Sequence, residues 1–285
     1  MGLPETHQVQ QLIDQSLAED LGWGDMTTET LVPVTQRSKA LIIAKERGIL
    51  AGAEIAKKVF LKIDPELKMD ILIRDGAEVN PGDVISRIEG KTSSILKAER
   101  VALNFLQRLS GIASETSRYV RAVKGLPVQI TDTRKTTPGL RTLEKYAVRI
   151  GGGKNHRMHL GDGILIKDNH LAALRNQGIS IKEAVVRARH KATPEMKIEI
   201  EVKTTKEATE AAEAGADVIM LDNMNLKDMR QAVQLIKGSA LTEASGGITL
   251  DRVRAVAETG VNLISVGALT HSAKALDISL ELELA

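Results

Sequence analysis

From Pro127 onward the chain repeats a strand, a turn and a helix, and no other feature narrows its possible folds as much. Candidate strands fall at 128–131, 164–166, 197–202, 218–221, 241–244 and 263–266, the last four starting about 20 to 23 residues apart. Regular βα units at this period imply a parallel sheet, and this many in succession point to an α/β barrel. Helical stretches at 206–215 and 251–260 end on Gly215 and Gly260, the residue type that closes a helix in the left-handed conformation. The first third has a different rhythm. Val9, Leu12, Ile13, Leu17 and Leu21 recur at helical spacing over 7–21; a strand is expected at 39–45, a helix at 53–63, a strand at 68–73, and short strands broken by turn residues after that. A long helical pattern over 92–124, with a break expected at Gly111, connects the two parts. The tail 278–284 alternates apolar and polar residues, as an edge strand returning to the first sheet would, with a short helix as the alternative. The expected domains are therefore 1–115, joined by 272–285, and 116–271.

The absence of cysteine excludes disulfides, thiolate metal sites and a cysteine nucleophile. Thirty-nine Lys and Arg against 37 Asp and Glu leave a net charge of +2, so no global field selects nucleic acid or membrane as the partner. One Trp, two Tyr and two Phe are too few for base-stacking platforms. No apolar run reaches membrane-spanning length, and MGLPETHQVQQL lacks a basic segment followed by an apolar one. A cytoplasmic location is expected.

Charge is concentrated locally. Residues 134–170 hold eight Lys or Arg and three His against Glu144, Asp162 and Asp168, a net +5 that leaves the rest of the chain at −3. Gly139, Gly151, Gly152, Gly153, Gly161 and Gly163 let the backbone of this stretch come close to a ligand. Cations among glycines suit a dense small-molecule anion, because guanidinium forks match carboxylates and phosphates. A solvated basic loop is the plain alternative. Zinc at His156 and His159 is another, opposed by the positive charge of Arg157 and Lys154.

Other βα junctions add to this. Alternation along 197–202 puts Glu199 and Glu201 on one face, with Glu201 nearer the C-terminal mouth where barrel active sites form. Lys167 and Asp222 each end a strand at that mouth, although an Asp there also serves as a helix cap. Ser245, Gly246 and Gly247, and Ser265, Val266 and Gly267, follow the last two strands, where barrels hold phosphate on backbone amides. A ligand using all three features combines carboxylate, ribose and phosphate.

The residues carry a family resemblance. TRKTTPGLR (133–141), EKYAV (144–148), GGGKNHR (151–157), LIKDNH (165–170), MLDNM (220–224), EASGGI (243–248) and ERVALNFLQRLSGIA (99–113) resemble quinolinate phosphoribosyltransferase, the decarboxylating nicotinate-nucleotide pyrophosphorylase, and the likeness runs from about 8 to 280. There is no departure at the motif positions; Lys203 and the first half-dozen residues read as unremarkable variation. The resemblance implies an N-terminal α/β sandwich plus a C-terminal incomplete α/β barrel, assembled as at least a homodimer, dimer or hexamer being left open. It implies Mg2+ as cofactor and quinolinate and phosphoribosyl pyrophosphate as substrates, giving nicotinate mononucleotide, pyrophosphate and carbon dioxide in NAD synthesis. It places Thr133, Arg134, Lys135, His156, Arg157 and Lys167 around quinolinate's carboxylates and the pyrophosphate, with Arg100 entering from a neighbouring subunit. Glu201 and Asp222 meet metal and ribose hydroxyls. Ser245, Gly246, Gly247, Val266, Gly267 and Ala268 take the 5′-phosphate. Lys135, Lys167, Glu201 and Asp222 are the expected catalytic set. Two rivals stand beside this reading: a Schiff-base aldolase built on Lys167, and a nucleic-acid module using 134–170, which the scarce aromatics and near-neutral charge oppose.

Overall fold

The computed structural model describes residues 7–283, so the first six residues and Leu284 of the expected tail strand lie outside the described part. The chain divides into two compact units: residues 7–117, 136–152 and 269–283 in one, and 118–135 with 153–268 in the other. Relative to the boundary drawn from sequence, residues 136–152 change sides. Their contacts explain why: the Tyr146 hydroxyl donates to Asp75 at 2.6 Å, and Gly151 packs so closely that a Cβ would overlap the Ala113 carbonyl oxygen.

In the first unit, helices α1 (His7–Leu21), α2 (Met26–Leu31) and α3 (Ala53–Ile63) accompany strands β1 (Arg37–Ala44), β2 (Gly48–Ile49), β3 (Lys68–Ile71), β4 (Glu78–Val79) and β5 (Val84–Lys91). α1 buries Val9, Ile13 and Leu17, the stripe its periodicity predicts. The main sheet has the order β12-β1-β5-β3, where β12 (Ile278–Leu282) pairs antiparallel with β1 and so occupies the edge expected of the tail. The expected helix break at Gly111 does not occur: α4 runs unbroken from Thr92 to Ala122. Gly111 serves packing instead, since a Cβ there would overlap the Lys274 carbonyl oxygen. α5 (Arg141–Ile150) completes this unit.

The second unit is the expected βα series. Strands β6 (Gln129–Thr131), β7 (Ile164–Ile166), β8 (Ile198–Val202), β9 (Val218–Asp222), β10 (Leu241–Ser245) and β11 (Leu263–Ser265) form one parallel sheet in the order β6-β11-β10-β9-β8-β7. The edge strands β6 and β7 are not paired with each other, so the ring of strands is incomplete. Gln129, Ile164, Lys197, Val218, Leu241 and Leu263, near the starts of all six strands, nevertheless line one cavity, which requires the sheet to curl around it. Helices α6 (Asp168–Arg175), α7 (Ile181–Lys191), α8 (Thr205–Glu213), α9 (Leu226–Ile236) and α10 (Val253–Ala257) follow their strands, and α11 (Ala268–His271) leads back to the first unit. Ser180, Thr204 and Asn225 cap α7, α8 and α9 through side-chain oxygens.

Candidate active site

The pleat of the parallel strands decides which side chains enter the curled sheet. In β8, Ile198, Ile200 and Val202 are buried on one face while Glu199 and Glu201 occupy the other. The same alternation turns Glu243 and Ser245 inward from β10 and Met220 from β9. At the C-terminal ends lies a cavity of about 470 Å³ that gathers Thr133, Arg134, Lys135, His156, Arg157, Lys167, Glu201 and Ser245. Eight residues singled out from sequence thus converge, from four different strand ends and the loop after Gly153.

Only part of the basic stretch is used this way. Arg141, Lys145 and Arg149 belong to α5 in the first unit; Lys145 is fully buried, Arg149 lies over the Tyr146 ring at 5.9 Å, and Arg141 donates to Thr136. The +5 segment is therefore two devices in one run of sequence, a cavity-lining cation set and a packing helix. The solvated-loop alternative fails for Arg157, whose guanidinium is partly desolvated and donates to the Gly163 carbonyl at 3.0 Å.

The acids are arranged by function. Burial, then Asp222 and Asp168, push the Glu201 carboxyl above its usual range. Asp222, the last residue of β9, stands opposite Ser245 in the strand register and accepts from the Asn223 side chain at 2.9 Å; it does not line the cavity. Asp168 does line it, and its carboxyl is held low by the Lys203 ammonium 2.9 Å away. Lys203, the residue after β8, is thereby tied to a cavity-lining acid. The donor set at this end is all oxygen, the chemistry a hard cation such as Mg2+ prefers.

The backbone turns are also partly as expected. Gly246 and Gly247 take φ of 87° and 58°, and a Cβ on Gly246 would overlap the Asn223 side chain, so this turn needs glycine. The Val266 amide already donates to Thr131 at 2.9 Å, which takes it out of any phosphate cradle. Gly267 and Ala268 follow it, outside the cavity lining. Arg100 is exposed on α4 in the first unit, 4.0 Å from Glu99.

His156 occupies a different situation from the one its sequence suggests. Asp132, fully buried, accepts from the His156 amide at 2.9 Å and from the Asn155 side chain, which fixes the loop. The ring then reaches inward, Nε2 standing 3.0 Å from Glu199 and 3.7 Å from Glu243. His159 instead pairs with Asp162 at 2.9 Å and is exposed, so the two histidines share no ion and the zinc reading falls. A metal between His156, Glu199 and Glu243 meets a separate obstacle. The Arg157 amide donates to His156 Nδ1 at 2.8 Å, which puts the ring proton on Nε2, the atom a metal would need. Sequence reasoning passed over Glu243, Asp168, Asn169 and Met220, all cavity-lining, while Ser265, singled out with the last turn, does line the cavity. Glu243 was within reach, because it sits two residues before Ser245 on the same strand face.

A parallel βα sheet that presents cations, carboxylates and a glycine turn at its C-terminal mouth is the architecture of an enzyme for anionic, phosphorylated small molecules. The comparisons with known proteins are specific within that class. Residues 25–110 match the quinolinate phosphoribosyl transferase N-terminal domain and residues 112–281 the C-terminal domain. A Bacillus subtilis protein named probable nicotinate-nucleotide pyrophosphorylase [carboxylating] is 47% identical, covering 97% of this chain and 94% of the relative. Quinolinate phosphoribosyltransferase [decarboxylating] 1b of Nicotiana tabacum is 42% identical over 98% of this chain and 83% of its own. The solved NadC of Streptococcus pyogenes matches with a TM-score of 0.92 at 42% identity, covering 97% of this chain and 96% of that one. This chain belongs to the quinolinate phosphoribosyltransferase family.

Proposed function

We propose that the chain transfers the phosphoribosyl group of phosphoribosyl pyrophosphate to quinolinate with loss of one carboxylate, yielding nicotinate mononucleotide, pyrophosphate and carbon dioxide for NAD synthesis. The observation that carries this is the convergence of Arg134, Lys135, Arg157 and Lys167 on one cavity that Glu201 also lines. Both substrates are polyanions, and their approach in a partly desolvated cleft needs fixed cations. Arg134, Lys135, Arg157 and Lys167 hold quinolinate's carboxylates and the pyrophosphate, and His156 shapes the cavity wall between them. Glu201 and Asp222 face the ribose hydroxyls and, with Asp168 near, supply the oxygen donors that would hold Mg2+. When bound, Mg2+ neutralises pyrophosphate charge. The turn 245–247 and residues 267 and 268 cradle the 5′-phosphate.

No covalent nucleophile is required. As pyrophosphate leaves, cationic character at the ribose C1 is met by the pyridine nitrogen, and the residues contribute position and charge. The ribosylated nitrogen then stabilises the electron pair left at C2 when the adjacent carboxylate departs. A Schiff base on Lys167 has no part in this scheme, and borohydride trapping with a carbonyl substrate should label nothing.

The test is incubation with quinolinate, phosphoribosyl pyrophosphate and Mg2+, with nicotinate in parallel. Product and carbon dioxide from quinolinate, and little turnover of nicotinate, are expected; no turnover of quinolinate would refute the assignment. We further propose a homodimer or hexamer in which Arg100 completes the neighbour's site. Mixing Arg100→Ala with Arg157→Ala chains should then restore activity, and no rescue under proven subunit exchange would count against sharing.

A further inference from the structure

The second unit holds two cavities, and they meet inside the curled sheet. One is the cavity at the strand C-terminal ends; the other, about 620 Å³, lies at the strand N-terminal ends with Glu199 on its wall. His156, Arg157 and Glu243 line both. Two of the three have their polar atoms engaged. Arg157 donates to Gly163 and stays positively charged, and His156 accepts from the Arg157 amide at Nδ1 while presenting Nε2–H to Glu199. Glu243 differs. It is 1% exposed, and its Oε1 has no hydrogen-bond partner.

The proposed reaction, on which this inference rests, needs an acid at one moment. When the C2–carboxylate bond breaks and carbon dioxide leaves, the bonding pair remains on C2 beside the positive ring nitrogen, and a proton must meet it. We propose that Glu243 is the catalytic acid that protonates C2, and that it regains its proton through the cavity at the opposite mouth of the sheet. The Glu243 O–H bond breaks toward C2, a new C2–H bond forms, and the resulting carboxylate takes up one proton from water on its other side.

The surroundings suit that duty. Burial first, then the Glu199 carboxylate from β8, push the Glu243 carboxyl up to about 7, opposed by His156 and by the Ser265 hydroxyl of β11. Arg157 is the other charged side chain lining both cavities, and the inward residue of β9 is the uncharged Met220. Glu243 is therefore a carboxyl group that still carries its proton well above the range in which an ordinary glutamate loses it. Reloading from the far cavity keeps solvent away from the reacting face while substrates are bound.

Glu243→Gln keeps the shape and removes the acid. In single turnovers it should release pyrophosphate at close to the normal rate but form nicotinate mononucleotide roughly 100-fold more slowly. Labelled carbon dioxide should also return into quinolinate mononucleotide, because the unquenched carbanion is recaptured. Glu243→Asp should restore part of the rate. In the unmodified protein, the product-forming step should fall as pH rises through about 7, with pyrophosphate release unaffected. A Gln variant with normal product formation, or an unmodified protein with no such alkaline limb, overturns the proposal. If the unmodified chain makes no product from quinolinate at all, the functional assignment is what has failed.

Discussion

Glu144 in the first unit and the Glu199–Glu243 pair in the second are similarly buried, yet their oxygens are treated differently. Glu144 is fully enclosed, and both its oxygens are satisfied: Oε1 accepts from Arg108 Nη2 and the Thr137 hydroxyl, each at 2.8 Å, and Oε2 from the Thr137 amide at 3.2 Å. Arg108 in turn donates to the carbonyls of Ala273 and Thr270. The network ties together 108, 137, 144 and 270–273, three separate runs of chain in one unit. Glu199 and Glu243 each keep one buried oxygen without a partner. Buried acceptors are nearly always paired, because an unmet one costs roughly 1–3 kcal/mol. The contrast separates a carboxylate that holds a fold together from two carboxyls that each leave an oxygen unmet beside a cavity.

Breaking the first side of the comparison should have the largest effect. Glu144→Ala leaves Arg108 and Thr137 without their acceptor, and loss of one partner of a buried pair costs about 3–5 kcal/mol. Part of Arg108 reaches solvent, so the lower end is expected, read as a shift in the denaturant midpoint. Substitution at the substrate face should leave stability nearly unchanged and act on turnover. Arg134→Ala, Arg157→Ala and Lys167→Ala should each lower kcat/KM roughly 30- to 1,000-fold, the scale of ~2–4 kcal/mol per charge-assisted contact. Normal rates in all three would undo the site assignment.

Glu243 sharpens the comparison through pH. Its folded value of about 7 stands above the ordinary 4.5, so its contribution to stability is present below pH 4.5 and is lost as pH rises through about 7. Melting curves should therefore show stability declining between pH 5 and 8, by on the order of 1–3 kcal/mol. Glu243→Gln should flatten that decline, and an unchanged slope would deny Glu243 its proton. Helix caps outside both carboxylate networks give the smallest effect. Ser180→Ala and Thr204→Ala each remove an acceptor for a first-turn amide, at about 1 kcal/mol, with kcat unchanged.

Much of this was legible before any coordinates. The spacing of the βα units located all six parallel strands to within a residue or two at each end. Lys167, Glu201 and Ser245 were identified from residue type and position at strand ends, where local alternation sets side-chain direction, whereas Arg134, Lys135 and Arg157 stood out as part of the cation-rich stretch and took their site role from the family resemblance. The misplaced features share one cause. Gly111 read as a helix break because its reason for being glycine is the Lys274 carbonyl, 163 residues away in sequence. Arg141, Lys145 and Arg149 were counted with the cation-rich stretch because charge alone does not reveal which face of α5 is packed. The pairing of Lys203 with Asp168 was not legible either, because the two residues follow different strands.

What the sequence determined by itself was periodic and local: which segments alternate at two or at 3.6 residues, where glycine must close a helix, and which cations lie close along the chain. Those properties depend on neighbours a few bonds away. Only the folded chain decided that Glu243 would meet Glu199 and His156 and lack a partner for Oε1, and that Glu144 would lack nothing. Such pairing depends on the curl and register of strands far apart in sequence, which bring Glu199 and Glu243 together where water does not reach to satisfy their remaining oxygens.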